Sequence, residues 1–214
     1  MTQTDEGIRT REKLQVEVRK ATDGDAPALC AALARAFDDD PMVNWMVAQD
    51  KRRARRVLDA MALTLEMTRA HDEVYTTTQI HGGALWAPPG KWKLGTWQQL
   101  MLVPRLTSVT TWKRIWPIMM GINALERKHP TVPHFYLFML GVDTEFQGRG
   151  VGTELMRPVL ERCDREGIPA YLESSKERNV PMYERNGFKV TEEFVVPSGG
   201  PKMWLMWREP LAGT

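Results

Sequence analysis

The residues whose types and spacing best suit chemistry form the run Gln147-Gly148-Arg149-Gly150-Val151-Gly152, set between an apolar segment and an amphipathic one. Glycines at 148, 150 and 152 remove the Cβ at alternate positions, so backbone N–H groups there can approach a bound group closely. Where such a turn opens a helix, the first-turn N–H groups and the helix dipole favour negative charge, and the run is an anion cradle. Two nucleotide motifs fail on spacing. A Walker loop needs lysine and then Ser/Thr after its last glycine, whereas Gly152 is followed by Thr153 with no lysine near. A dinucleotide fingerprint needs a third glycine three residues after the second, whereas Gly150 and Gly152 lead to Leu155. A glycine-rich turn without a ligand ranks second, because three glycines at a helix start cost chain entropy that a plain turn does not require.

The elements around this run must position it. His134 to Val142 (HFYLFMLGV) is a continuous apolar and aromatic run behind Pro133, the pattern of a buried strand. After the loop, Leu155, Met156, Val159, Leu160 and Cys163 share one helical stripe, and Pro158 should bend that helix. In chain order, residues 1 to about 15 are expected to be a flexible tail and 16–214 one domain. Val16 to Thr22 alternates as a strand, and Thr22 or Asp23 caps a helix running to Phe37. Asp38-Asp39-Asp40-Pro41 then ends it as a solvated loop. Lys51 to His71 is a helix with Leu58, Met61, Ala62 and Leu65 inward and a basic cluster at its start. Val74 to Gln79 and His81 to Ala87 are two strands about a tight turn.

Pro88 to Pro133, about 45 residues, carries helical patterns at Leu94 to Leu106 and Ser108 to His129, together with Trp92, Trp97, Trp112 and Trp116. Any one of these tryptophans is explained by core packing, but as a group they suit the wall of a pocket. A helix lying on a membrane is a third reading, with a thin basic face of Lys113, Arg114, Arg127 and Lys128. Pro169 to Ser174 is a further strand; Asn179 caps a short helix that Gly187 stops; Phe188 to Val196 and Met203 to Arg208 close the chain as two strands.

Composition narrows the function classes. Lys+Arg 29 against Asp+Glu 27 gives a net charge of +2, which is no footprint for nucleic acid. No apolar run approaches the ~20 residues of a membrane span, and the polar N-terminus lacks a signal-peptide core, so a cytoplasmic protein without a membrane partner is expected. Cys30 and Cys163 form no ligand or redox pair, and His71, His81, His129 and His134 fit no zinc spacing, so neither disulfide nor metal is expected.

Strand, four-residue spacer and Gln-Gly-Arg-Gly-Val-Gly at a helix start resemble the acetyl-coenzyme A motif of the GNAT acetyltransferase superfamily. Val18-Arg19-Lys20-Ala21-Thr22, Leu33-Ala34-Arg35-Ala36-Phe37 before Pro41, PAYLESSKERNVPMYERNGF and VVPSGGPKMWLMWR extend the resemblance to bacterial members of the puromycin N-acetyltransferase type over nearly the whole chain. It is weakest between Pro88 and Pro133, so it implies acetyl transfer without implying puromycin as acceptor. The implied fold is α/β: a central mixed, mostly antiparallel sheet flanked by helices, with a helical insertion (about 88–133) between the third and fourth strands. The implied co-substrate is acetyl-coenzyme A, held by Leu140, Val142, Gln147, Gly148, Arg149, Gly150, Val151, Gly152 and Asn179, with Arg149 available to a phosphate. The implied partner is a small-molecule amine that attacks the thioester directly in a ternary complex, and the sequence is compatible with an oligomer. Tyr183, one helical turn after Asn179, is the implied general acid, and at neutral pH a phenol with its usual pKa of about 10 holds its proton. It also suits simple packing beside Phe188. Glu173, on the strand face of Tyr171, is the weaker candidate for base and also suits a local hydrogen-bond anchor; HFYLFMLGV lacks the carboxylate many members carry on the fourth strand. A silent acetyl-coenzyme A sensor, an O-acetyltransferase and a longer-acyl transferase are the alternatives.

Overall fold

A computed structural model describes residues 12–93 and 104–211. Its strands β1 (Val18–Lys20), β2 (Val74–Thr77), β3 (Gly82–Ala87), β4 (Phe135–Val142), β5 (Ala170–Ser174), β6 (Lys189–Val195) and β7 (Lys202–Arg208) form one seven-stranded sheet of order β1-β2-β3-β4-β5-β7-β6. Every neighbouring pair is antiparallel except β4 and β5. These two are joined through the helix α5 (Val151–Glu166), as a parallel pair requires a crossover. Helices α1 (Ala26–Ala36), α2 (Pro41–Met46), α3 (Arg53–Arg69), α4 (Trp112–Glu126) and α6 (Val180–Arg185) complete the set named here.

The sheet is buried on both faces. Leu155, Met156, Val159 and Cys163 of α5 pack on Ala84, Trp86, Phe135 and Leu137, and α1 and α3 lay Leu29, Leu33, Met61 and Leu65 against Leu85 and Val74 on the other face. Strand β4 changes parity midway. Leu85 stands opposite Met139 and Trp86 opposite Leu137, so Phe138 is the extra residue of a β-bulge. Before the bulge Tyr136 faces away from α5; after it Met139 and Gly141 do, while Leu140 and Val142 face the α5 side. At Gly141 a Cβ would lie 2.7 Å from both Leu33 and Phe37, so glycine lets α1 approach the strand closely.

Several expectations are corrected. The acidic run is a solvated turn only in part: Asp38 and Asp39 are exposed and pair with Arg53 and with Lys176 and Arg178, whereas Asp40 is buried and caps α2, a helix that the run of aspartates concealed. Helix α3 buries Val57, Ala60, Met61, Leu65 and Thr68, whereas Leu58 and Ala62 face solvent. The stripe is therefore rotated, since the α1 contact accepts Val57 and Ala60 while Leu58 remains 38% exposed. Asn179 occupies the cap position of α6 with right-handed helical dihedrals and no side-chain capping bond, because a 3-10 turn (Glu177–Asn179) already leads into the helix. The second insertion pattern becomes residues 104–109 and α4; the Leu94 to Leu106 pattern falls mostly outside the described residues, as does Trp97. Residues 12–15, expected in the tail, lie against the glycine loop, with the Leu14 N–H donating to Arg149 O at 2.9 Å and Lys13 pairing with Glu154.

Candidate active site

Strands β4 and β5 pair only from Phe135/Ala170 to Leu137/Leu172 and then part. A cleft of about 500 Å³ opens where they diverge, walled by Leu140, Gly141 and Val142 on one side and by Asn179, Met182 and Tyr183 on the other. The loop at its mouth is fixed to the strand by a bond from the Gln147 side-chain N–H to Val142 O (2.9 Å). Gly148 (φ +73°) and Gly150 (φ +84°) both adopt the left-handed conformation, which is what lets two successive turns aim backbone groups at the cleft before α5 begins. Leu140, Val142, Gln147, Gly148, Gly150, Val151, Gly152, Asn179 and Tyr183 thus all line one cavity.

Arg149 departs from that set. Flanked by the two left-handed glycines, its side chain turns to the outer side of the loop, where it borders a shallow depression with Glu12, Thr144 and Glu145 and bonds Glu12 O. Positive charge in the cleft comes instead from Lys176, Arg178 and Arg185, which the sequence reading missed. Their signal was available as three cations closely following a strand that points at a glycine loop.

A second cavity of about 290 Å³ lies on the α1/α3 face, between α3, α4 and the sheet. Its walls are largely apolar, including Met42, Met46, Met139, Trp92, Tyr136 and Phe138, and its carboxylates are Asp40, Glu126 and Glu173. Glu173 is held on several sides. It accepts from the hydroxyls of Tyr136 and Tyr171, each at 3.1 Å, and the Nδ1 of His129 stands 3.7 Å away. His129 Nε2 meets His134 Nε2 at 2.9 Å, and His134 Nδ1 donates to Val132 O at 2.7 Å. That last bond leaves a neutral His134 with a bare Nε2, so His129 is the donor between them. Neither histidine had a metal spacing to reveal it, and this chain was invisible in the sequence. Burial raises the phenols of Tyr136 and Tyr171 above their ordinary range, with the Glu173 charge adding to it, so both remain donors to the carboxylate.

Trp92 stacks on His129 with ring centroids 3.6 Å apart and forms part of this second wall. Trp112 and Trp116 do not: at 74% and 73% exposure they stand outward on α4 and are neither core nor pocket.

The two cavities meet. Phe37 and Asp40 line both. On the cleft side of that junction stands Tyr183, buried, edge-on to Phe188 with centroids 6.1 Å apart. Burial, and then the negative charge of Asp40, push its phenol above the ordinary range, so it carries its proton throughout the neutral region.

A cleft behind a glycine loop, joined at Phe37 and Asp40 to a second, largely apolar cavity, is an arrangement that suits a transferase with two substrates. Residues 114–188 match the family model described as "Acetyltransferase (GNAT) family". An uncharacterized N-acetyltransferase of Schizosaccharomyces pombe is 27% identical over 192 residues, 84% of this chain and 78% of its own. A mycothiol acetyltransferase of Propionibacterium freudenreichii is 41% identical over 61 residues, 27% of this chain and 20% of its own. Residues 114–188 thus carry the GNAT acetyltransferase pattern, and the chain is similar to N-acetyltransferases over most of its length. Its fold matches a solved histone acetyltransferase HPA2-related acetyltransferase of Corynebacterium glutamicum (TM-score 0.69, 24% identity, 94% of this chain and 99% of that one). It also matches arylalkylamine N-acetyltransferase 2 of Aedes aegypti (TM-score 0.61, 16% identity, 92% and 99%).

Proposed function

We propose that this enzyme transfers the acetyl group of acetyl-coenzyme A to the primary amine of a small, partly apolar molecule by direct attack. The observation that carries this is the meeting of the two cavities at Phe37 and Asp40, with Tyr183 on the cleft side and Glu173 among the carboxylates of the other. In this reading the loop from Gln147 to Gly152 holds the pyrophosphate through backbone N–H groups, while Lys176, Arg178 and Arg185 offset its charge. Leu140 and Val142 flank the pantetheine, and Asn179 stands across from them. The acceptor enters as an ammonium, and Glu173 takes one proton from it, directly or through water, freeing the lone pair. The nitrogen–carbon bond forms and the carbon–sulfur bond breaks. Tyr183 gives its proton to the departing sulfur and regains one from the nitrogen. The reading also has the enzyme working in the cytoplasm, in keeping with free Cys30 and Cys163.

The test is a thiol-release screen of arylalkylamines, polyamines, aminonucleosides, aminoglycosides, amino acids and peptides against acetyl-coenzyme A. We expect thiol in equal amount to N-acetyl product for at least one amine with an apolar body. Coenzyme binding without release for any amine would instead mark a silent sensor. Trp92 supplies a further check. Its stack on His129 and its place in the wall are worth on the order of 1 to 2 kcal/mol to a bound acceptor, so Trp92→Ala should raise the acceptor KM about tenfold. Trp112→Ala, altering an exposed ring, should leave KM unchanged. Equal effects from the two substitutions would remove the acceptor cavity from this role.

A further inference from the structure

Building on the acetyl-transfer reading above, we propose that Asp40 is the docking site of the acceptor's ammonium group, placed where the two cavities join. Asp40 is only 3% exposed, yet among the described residues no cation pairs with it. The nearby Lys176 and Arg178 are both engaged by Asp39. Buried carboxylates are normally matched by a counter-charge, because hydrogen bonds alone offset the loss of hydration only in part. Asp40 receives hydrogen bonds from the Met42 and Val43 N–H groups on Oδ1, at 2.9 and 3.1 Å, and from the Ser175 hydroxyl on Oδ2. A carboxylate offers about four lone-pair sites, so these three donors leave one, on a side chain that lines both cavities. The missing partner is therefore a cationic donor that arrives with a ligand. The cavity behind Asp40 is mostly apolar, which selects an ammonium carried on an apolar body over a hydrated metal ion.

Two consequences follow for the chemistry. Ser175, bonded to Asp40, lies two residues beyond Glu173, and all three line the same cavity, so an ammonium on Asp40 shares one chamber with the base. The charge of Asp40 also acts on the Tyr183 phenol, and an ammonium seated on Asp40 cancels that influence.

The test uses Asp40→Asn and Asp40→Ser, both good N-caps, so that α2 keeps its capping while the charge is removed. Calorimetry on the full chain with coenzyme A present compares phenethylamine with phenethyl alcohol and n-hexylamine with 1-hexanol. The parent protein should bind at least one amine ten times more tightly than its alcohol. In both variants that preference should fall below threefold, with coenzyme A affinity kept within twofold. An unchanged preference in the two variants, or no amine preferred over its alcohol by the parent, overturns the proposal. Because binding is read without turnover, a preference that depends on Asp40 in a protein releasing no thiol with any amine would sink acetyl transfer and leave the cation site standing.

Discussion

Replacing Tyr183 by phenylalanine should lower kcat by roughly 10² to 10⁴, the usual share of general acid catalysis, while leaving the affinity for acetyl-coenzyme A where it was. The substitution removes one oxygen and keeps the ring, so the edge-on contact with Phe188 and the burial of the side chain persist. Packing beside Phe188 and donating a proton are therefore separable in this variant, although one residue does both. Each tenfold loss in rate corresponds to about 1.4 kcal/mol of transition-state stabilisation, so the expected range is about 3 to 5 kcal/mol. A stability change of that size is not expected, because no hydrogen bond that positions the ring is lost; thermal unfolding measured alongside kcat checks this. If turnover stayed close to parental, with a pre-steady-state burst absent and chemistry thus shown to limit the rate, the proton would have to come from water.

The same residue shows what the sequence could and could not carry. The short helix that carries Tyr183 was legible because Pro181 and Gly187 punctuate it, and such punctuation is local chemistry. The glycine loop was legible for the same reason, its conformation being written in residues that tolerate positive φ. The bulge at Phe138 was not. An apolar run buried on both faces has no alternation to break, so nothing in HFYLFMLGV indicates that Met139 and Gly141 follow Tyr136 to one face while Leu140 and Val142 take the other. Asp40 was misread because three successive aspartates look alike in sequence. Only tertiary contacts give Asp38 an arginine, Asp39 two cations and Asp40 a helix to cap. The Glu173–His129–His134 chain failed for a third reason: its members come from β5 and from the end of an insertion, and their meeting is set by pairing of Tyr136 with Tyr171 across β4 and β5. Arg149 was harder to place. A cation inside an anion loop looks like a ligand, until the left-handed residues on either side turn it outward.

Placing valine at Gly150 should abolish measurable coenzyme binding, with a loss of at least tenfold in calorimetry. Two effects combine. Gly150 sits at φ +84°, where a β-branched residue is strained by on the order of 1 to 3 kcal/mol, and its Cβ would meet the Lys13 side chain at 3.2 Å. The strain acts on the fold as well as on the loop, so thermal unfolding should fall by roughly 2 to 12 °C for a chain of this size. Binding must then be measured well below that transition. Two companions separate strain from obstruction. Asparagine accepts the left-handed conformation far better than valine, so Gly150→Asn should recover most of the stability while still interposing a side chain in front of the cradle. Gly152→Ala probes the opposite case: Gly152 has no positive φ, and a Cβ there would lie 3.7 Å from Leu140 and Val142, ordinary contact that the fold accommodates. It should unfold like the parent and bind nearly as well. Should Gly150→Val or Gly150→Asn hold the coenzyme as tightly as the parent protein, the backbone groups of this loop are not what grips it, and the cations Lys176, Arg178 and Arg185 on the facing wall would have to supply the affinity on their own.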